Sequence, residues 1–167
     1  NIVEKYILYT GMWKKHKNLM RMFEAFEKLN LNNLQLVLAG KIDKNEPEVI
    51  KEIERINKKN ARLLDCSIVA PKNNETIEQY NNNSIIATGF INECDLPTAY
   101  AGATCYCTPS LSEGFGLPPL EAMACGTPVI SSNIPAMPEI LGSAPLYFDP
   151  YDIDDIAKKM AKVVSDK

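Results

Sequence analysis

Several things are missing from this chain of 167 residues, and each absence narrows what it can do. No apolar run approaches the ~20 residues that a membrane-spanning helix needs. No secretory leader is visible. A basic surplus is also missing: the formal net charge is −3, which argues against a nucleic-acid binder. The five cysteines are an odd count without metal-ligand spacing. Cys66, Cys94 and Cys125 stand alone. Cys105 and Cys107, two apart in a predicted strand, are expected on opposite faces. Reduced thiols are the plain reading of all five, and a cytoplasmic location is expected with them. No Gly-x-Gly-x-x-Gly follows the first predicted strand, where Gly11 stands alone, so a dinucleotide-dependent oxidoreductase or epimerase is disfavoured. No internal repeat is apparent.

Short apolar strands alternate with amphipathic helices. The first strand is read from Ile2 to Tyr9, so the chain opens almost directly in a strand and is expected to be one domain of something longer. Thr10-Gly11 ends that strand, and a basic loop from Met12 to Asn18 follows. The next helix carries Leu19, Met22, Phe23, Phe26 and Leu29 at helical spacing, and Trp13 is read as a packing or rim residue. Leu34 to Ala39 is a near-continuous apolar run stopped by Gly40, the pattern of a strand buried on both faces. Pro47 starts a second helix with Val49, Ile50, Ile53 and Ile56 on one face. Residues 61–83 are read as a strand and a helix. Ile85 to Thr88 is a strand, Asp95 is expected to cap a helix running to about Ala101, and 103–108 is another strand. Val129 to Ser131, a short helix from Pro138 to Leu141, a strand at 146–148 and a helix at 152–165 complete the order. This alternation predicts a three-layer α/β/α sandwich around a parallel sheet of about six strands, with ligands at the carboxyl ends of the strands.

The stretch from Ser110 to Ile130 organises the rest. It reads as a glycine-bearing loop, a helix with Pro118 and Pro119 in its first turn, a turn and a buried strand. The helix start leaves backbone N–H groups without intrahelical partners and carries the positive end of the helix dipole, a ready anion site. Gly114 and Gly116 remove side chains that would collide with a ligand there. Glu113 and Glu121 flank the junction. Lys14, Lys15, His16 and Lys17 lie in the loop after the first strand. An anion site, a basic loop and two carboxylates able to take paired hydrogen bonds from vicinal diols together suit a nucleotide sugar.

The run from Glu113 to Glu121, two glutamates with seven residues between, resembles the donor-site motif of GT-B retaining glycosyltransferases, family 4 or "group 1". The resemblance extends to Tyr9-Thr10-Gly11, Lys17-Asn18-Leu19, residues 36–40, 88–91, Asp95-Leu96 with Tyr100, Pro138-Glu139-Ile140 and Phe148-Asp149-Pro150. It implies that residues 1–167 are one Rossmann-like domain, the C-terminal, donor-binding half of a GT-B fold, with 61–83 an insertion and the N-terminal acceptor domain absent. It implies a retaining hexosyltransferase of carbohydrate biosynthesis, needing no metal or other cofactor; the lack of a clustered Asp-x-Asp near the loops agrees. Glu113 and Lys17 would be catalytic, Glu113 on the sugar hydroxyls and Lys17 on the departing diphosphate. Gly11 and His16 would line the donor site. Backbone N–H groups of Gly114, Phe115, Gly116 and Leu117 would meet sugar and phosphates, Glu121 the ribose, and the backbone of Phe90 and Ile91 the base. The partners implied are the donor, with GDP-mannose the first guess ahead of a UDP-sugar, an acceptor glycan, lipid or protein, and the N-terminal domain of the same protein; peripheral membrane contact is left open. Two positions depart from the pattern. Met12 and His16 stand where many members carry arginine, and arginine grips phosphate in a way that neither replaces. A non-catalytic nucleotide-sugar-binding module is therefore the alternative. A sugar phosphorylase shares the architecture, but no lysine here has a recognisable pyridoxal-phosphate context.

Overall fold

The computed structural model describes residues 5–29, 31, 33–41, 46–60 and 84–165. The strand, helix and insertion expected within 61–83, Cys66, and the start of the first strand at Ile2 lie outside the described residues. The strands are β1 (Lys5–Thr10), β2 (Leu34–Ala39), β3 (Ile85–Gly89), β4 (Cys105–Thr108), β5 (Val129–Ser132) and β6 (Leu146–Phe148). The helices are α1 (Leu19–Leu29), α2 (Pro47–Asn60), α3 (Leu96–Ala101), α4 (Leu117–Ala124), α5 (Ala136–Leu141) and α6 (Ile153–Ser165), with a 3-10 turn at Lys15–Lys17 inside the expected basic loop.

Among the described residues the six strands form one sheet in the order β3-β2-β1-β4-β5-β6, and every pairing is parallel. This is a Rossmann-like α/β fold. The chain direction across the sheet reverses between β1 and β4, so the crevice at the carboxyl ends of those two strands is where such folds bind ligands.

Alternation along each strand sends side chains into two separate layers. On one face Ile7, Tyr9, Leu36, Leu38 and Ile130 pack with α1, α2 and α6. On the other, Leu8, Val37, Tyr106 and Val129 pack with Tyr100 of α3 and Ala122 of α4. α5 is fixed to α4 through Met137, Leu141 and Leu120. α1 is helical because its apolar residues recur at helical spacing; Met22, Phe23 and Phe26 are fully buried, each contributing roughly 1.5–3 kcal/mol. Trp13 is core rather than rim, only 1% exposed.

Four expectations need correction. Cys105 and Cys107 share a face: residues two apart in a strand point the same way, and both enter the layer covered by α1, while Tyr106 between them enters the other. Ile50 is exposed, because the stripe of α2 runs through Val49, Ile53 and Ile56 and leaves Ile50 at its edge. Asp95 makes no side-chain cap; its backbone is already helical, and Asp95 and Leu96 donate their N–H groups to the Asn92 carbonyl at 3.0 and 3.1 Å instead. β5 runs to Ser132, so the loop after it starts one residue later than expected.

Two polar devices hold the sheet ends. Asn57 of α2 clips the start of β3, donating to the Ile85 carbonyl and accepting from its N–H, both at 2.8 Å. At the carboxyl ends, Gly11 donates to the Ala39 carbonyl and Gly40 to that of Gly89, so the loops after β1, β2 and β3 leave side by side. The crossing is tight: a Cβ on Gly40, which has φ +137°, would stand 2.1 Å from the Gly11 carbonyl oxygen.

Gly40→Ala combines left-handed strain with a backbone clash and is expected to lower stability by roughly 2–4 kcal/mol. The readout is the midpoint of urea unfolding; an unchanged midpoint would contradict the close crossing of these loops.

Candidate functional site

The sequence-predicted residues lie in the loops and helix starts at the carboxyl end of the sheet, with Glu121 one turn into α4. Lys17 leaves the 3-10 turn after β1, and Glu113 lies in the loop between β4 and α4. They meet: Lys17 Nζ donates to Glu113 Oε1 at 2.7 Å and to Oε2 at 2.8 Å. Their side chains are 20% and 14% exposed, so the pair is only partly screened by water. Ser110 Oγ donates to the same Glu113 oxygen that takes the shorter lysine bond. Tyr9 beneath them has its phenol pushed well above the ordinary range, first by burial and then by the Glu113 charge.

Asn18, the residue after Lys17, makes this geometry possible. It adopts the left-handed conformation, φ 58° and ψ 32°, which asparagine tolerates better than most residues. That turn takes the chain from the 3-10 segment into α1, where the Asn18 carbonyl accepts from the Met22 N–H. The buried Asn18 amide donates to the carbonyls of Pro109 (3.0 Å) and Pro150 (2.8 Å), and its oxygen accepts from Arg21 Nη1 (3.0 Å). The loop after β1 is thus tied to the loops after β4 and β6. The His16 carbonyl adds a bond from the Leu111 N–H at 2.8 Å, while the His16 side chain is exposed.

Gly116 is left-handed at φ +75° and precedes the first turn of α4, where Pro118 and Pro119 need no intrahelical hydrogen-bond partner. A Cβ on Gly116 would stand 2.7 Å from the end of the Met137 side chain. Gly114 is different: a Cβ there would meet nothing within 4 Å, so no protein contact demands glycine. Phe115 and Leu117 are more than half exposed at the helix start. Glu121, on the exposed side of α4, accepts from the Tyr100 hydroxyl at 2.8 Å through Oε2. Phe90 is 78% exposed after β3, and Ile91 beside it packs partly against the α3/α4 layer. Gly11 is half-buried, at the Gly40 crossing.

The structure therefore brings Lys17 to Glu113 and arranges Glu121 one turn into α4, but it puts His16 and Phe90 in direct side-chain contact with neither carboxylate among the described hydrogen bonds. Sequence reasoning missed the roles of Asn18 and Ser110. The available signals were local: an asparagine at a helix start for Asn18, and a serine three residues before a glutamate for Ser110. A cavity of about 590 Å³ opens alongside, bounded by Leu111, Asn133, Tyr147 and Tyr151. Neither carboxylate lines it.

What the arrangement offers chemically is a positive group, Lys17, and the N–H groups of Gly114 to Leu117 leading into α4, ahead of two prolines that have none, beside two carboxylates that can accept from hydroxyls.

Known proteins resemble this chain in sequence and in fold. The family described as "Glycosyl transferases group 1" matches residues 70–167. A serotype-specific mannosyltransferase, WbdA from Escherichia coli, is 32% identical over 172 aligned residues covering all of this chain and 18% of the relative. The O-antigen chain mannosyltransferase B of Escherichia coli is 31% identical over 96% of this chain and 37% of its own length. The chain thus spans well under half the length of these curated relatives. Two solved structures have the same fold: Anabaena HepE in complex with UDP and glucose (TM-score 0.74, 18% identity, 98% of this chain and 40% of that one) and a UDP-forming alpha,alpha-trehalose-phosphate synthase from Burkholderia vietnamiensis (TM-score 0.78, 16% identity, 98% and 38%). The chain has the fold of these two structures, and by sequence it belongs to the group 1 glycosyltransferases.

Proposed function

We propose that this chain is the donor-binding domain of a glycosyltransferase that moves a hexose from a nucleoside-diphosphate sugar to an acceptor hydroxyl with retention at the anomeric carbon. The observation that carries the reading is the Lys17–Glu113 pair in front of the start of α4, with Glu121 one turn further along. On this reading the diphosphate takes Lys17 and the N–H groups of Gly114 to Leu117. Glu113 takes sugar hydroxyls, Glu121 the ribose, and the backbone at Phe90 and Ile91 the base, near Gly11 and His16. The reaction is electrostatic: Lys17 and the helix dipole offset charge growing on the leaving diphosphate, and Glu113 orients the sugar. No metal is needed, because these groups already supply positive charge where it develops. A further domain of the same polypeptide supplies the acceptor site. GDP-mannose is the favoured donor, supported by the mannosyltransferase relatives; a UDP-sugar is the competitor, supported by the UDP in HepE.

In the structure the two principal groups neutralise each other. A diphosphate has to compete with Glu113 for Lys17, so Glu113 weakens ground-state binding of the leaving group while serving the sugar. Such a group trades binding for turnover.

Calorimetric titration of the full-length protein with UDP, GDP and their sugars should show binding of one nucleotide, weakened about tenfold or more by Glu121→Ala. Binding unaffected by that substitution would contradict the ribose assignment. Binding of the intact protein without any turnover would favour a non-catalytic module.

Lys17→Ala should lower kcat by about 10²–10³, the scale of removing one charge-stabilising donor. Glu113→Gln should also lower transfer, yet bind the nucleoside diphosphate as tightly as the parent or more tightly, because Lys17 is released. Weaker diphosphate binding in Glu113→Gln would contradict the competition between carboxylate and phosphate.

A further inference from the structure

Glu121 is held by groups that the donor contacts proposed above do not use. Tyr100, at the inner end of α3, donates to Glu121 Oε2 at 2.8 Å. The same phenol oxygen lies 3.0 Å from Thr10 Oγ1, at the last residue of β1. Thr10 Oγ1 in turn lies 3.2 Å from the hydroxyl of Tyr106 on β4, which also reaches the Thr10 carbonyl at 3.4 Å.

The direction of every proton in this chain follows from valence. A carboxylate oxygen only accepts, so the single Tyr100 proton goes to Glu121. The bond between Thr10 and Tyr100 must then be donated by Thr10. That uses the single Thr10 proton, so Tyr106 can only donate to Thr10, its one proton shared between Oγ1 at 3.2 Å and the carbonyl at 3.4 Å. No other assignment makes all three bonds. Burial holds both phenols above their ordinary range, so both remain donors. Hydroxyls aligned in one sense polarise each other and strengthen the last bond in the series.

We infer that Tyr100, backed by Thr10 and Tyr106, is a positioning residue that fixes the Glu121 carboxylate for a vicinal diol. This rests on the proposed reading that Glu121 receives the ribose. Glu121 sits on the exposed side of α4, where a free carboxylate would rotate in water. The Tyr100 hydroxyl anchors one oxygen and leaves Oε1 for a ligand, so the ordering of this side chain is complete before the nucleotide arrives. The chain starts in the α3/α4 layer of the core, ends at the ligand surface, and passes through the residue just before Gly11. Discrimination between a diol-bearing sugar and one without hydroxyls therefore depends on side chains that never touch the ligand.

The experiment is a titration of the full-length protein with whichever of UDP and GDP it binds, and with the 2′,3′-dideoxy form of the same nucleotide. Tyr100→Phe keeps the ring and removes only the donor. It should weaken the ribonucleotide about five- to tenfold while leaving the dideoxy form within about twofold, so the ratio between them falls. Thr10→Val should shift the ratio in the same direction by less. In a Glu121→Ala background the ratio should already be near one, and Tyr100→Phe should change nothing further. Equal weakening of both nucleotides by Tyr100→Phe, or a Tyr100 effect that survives in Glu121→Ala, would overturn the inference and reduce Tyr100 to packing. Should Tyr100→Phe not fold, Thr10→Val decides alone, and an unchanged ratio overturns the inference. A parent protein that binds neither nucleotide, or binds ribo and dideoxy forms alike, would refute the donor reading itself and this inference with it.

Discussion

The ion pair between Lys17 and Glu113 closes the crevice at the centre of the sheet. It joins segments 96 residues apart in sequence, one following β1 and one following β4. Those strands are neighbours at the point where the winding of the sheet reverses. Neither partner is fully exposed, so removing one leaves a poorly solvated charge behind. The pair can form only because the backbone places it: Asn18, in the left-handed conformation, pins the loop after β1 to Pro109 and Pro150, and the bond from Leu111 to the His16 carbonyl pulls the two loops together. The lysine is thus delivered by a 3-10 turn tied to the neighbouring loops.

The two carboxylates of the site are held by different chemistry. Glu113 is gripped by a half-buried cation and a fully buried serine. Glu121 is gripped by one phenol at the end of a hydroxyl series that begins in the core. Both supports draw on the segment that leaves β1: Thr10 is its last residue and Lys17 ends the 3-10 turn that follows. On the proposed donor reading, this difference has a purpose. Glu113 has to exchange its lysine for a ligand, and an ion pair exchanges partners readily when a phosphate competes. Glu121 has no exchange to make, and a neutral donor keeps its carboxylate ready.

Much of the fold was legible because the signals were local or periodic. Leu34 to Ala39 reads as a doubly buried strand, and Gly40 stops it because only glycine fits beside Gly11. The stripe of α1 matches its buried residues, with Leu29 at the half-buried margin. Misreadings arose where the decision was not local. Asp95 has a capping side chain, yet the backbone turn from Asn92 satisfies the helix start without it. The expectation for Cys105 and Cys107 fails for a local reason instead: residues two apart in a strand share a face, and both are buried in one layer. At the site, the motif from Glu113 to Glu121 was readable as a motif. The partners were not: Lys17 to Glu113 and Thr10 to Tyr100 span the sheet, and such pairs exist only once β1, β4 and α3 have been brought together.

The most direct measurement is a crystal structure of the full-length protein with an intact nucleoside-diphosphate sugar, or its non-transferable analogue, in the crevice. The account expects Lys17 Nζ to have left Glu113 for a phosphate oxygen, with Glu113 on sugar hydroxyls and Glu121 still bonded to Tyr100 while it accepts from the ribose. A donor bound with the Lys17–Glu113 pair intact, or bound away from the start of α4, would contradict it.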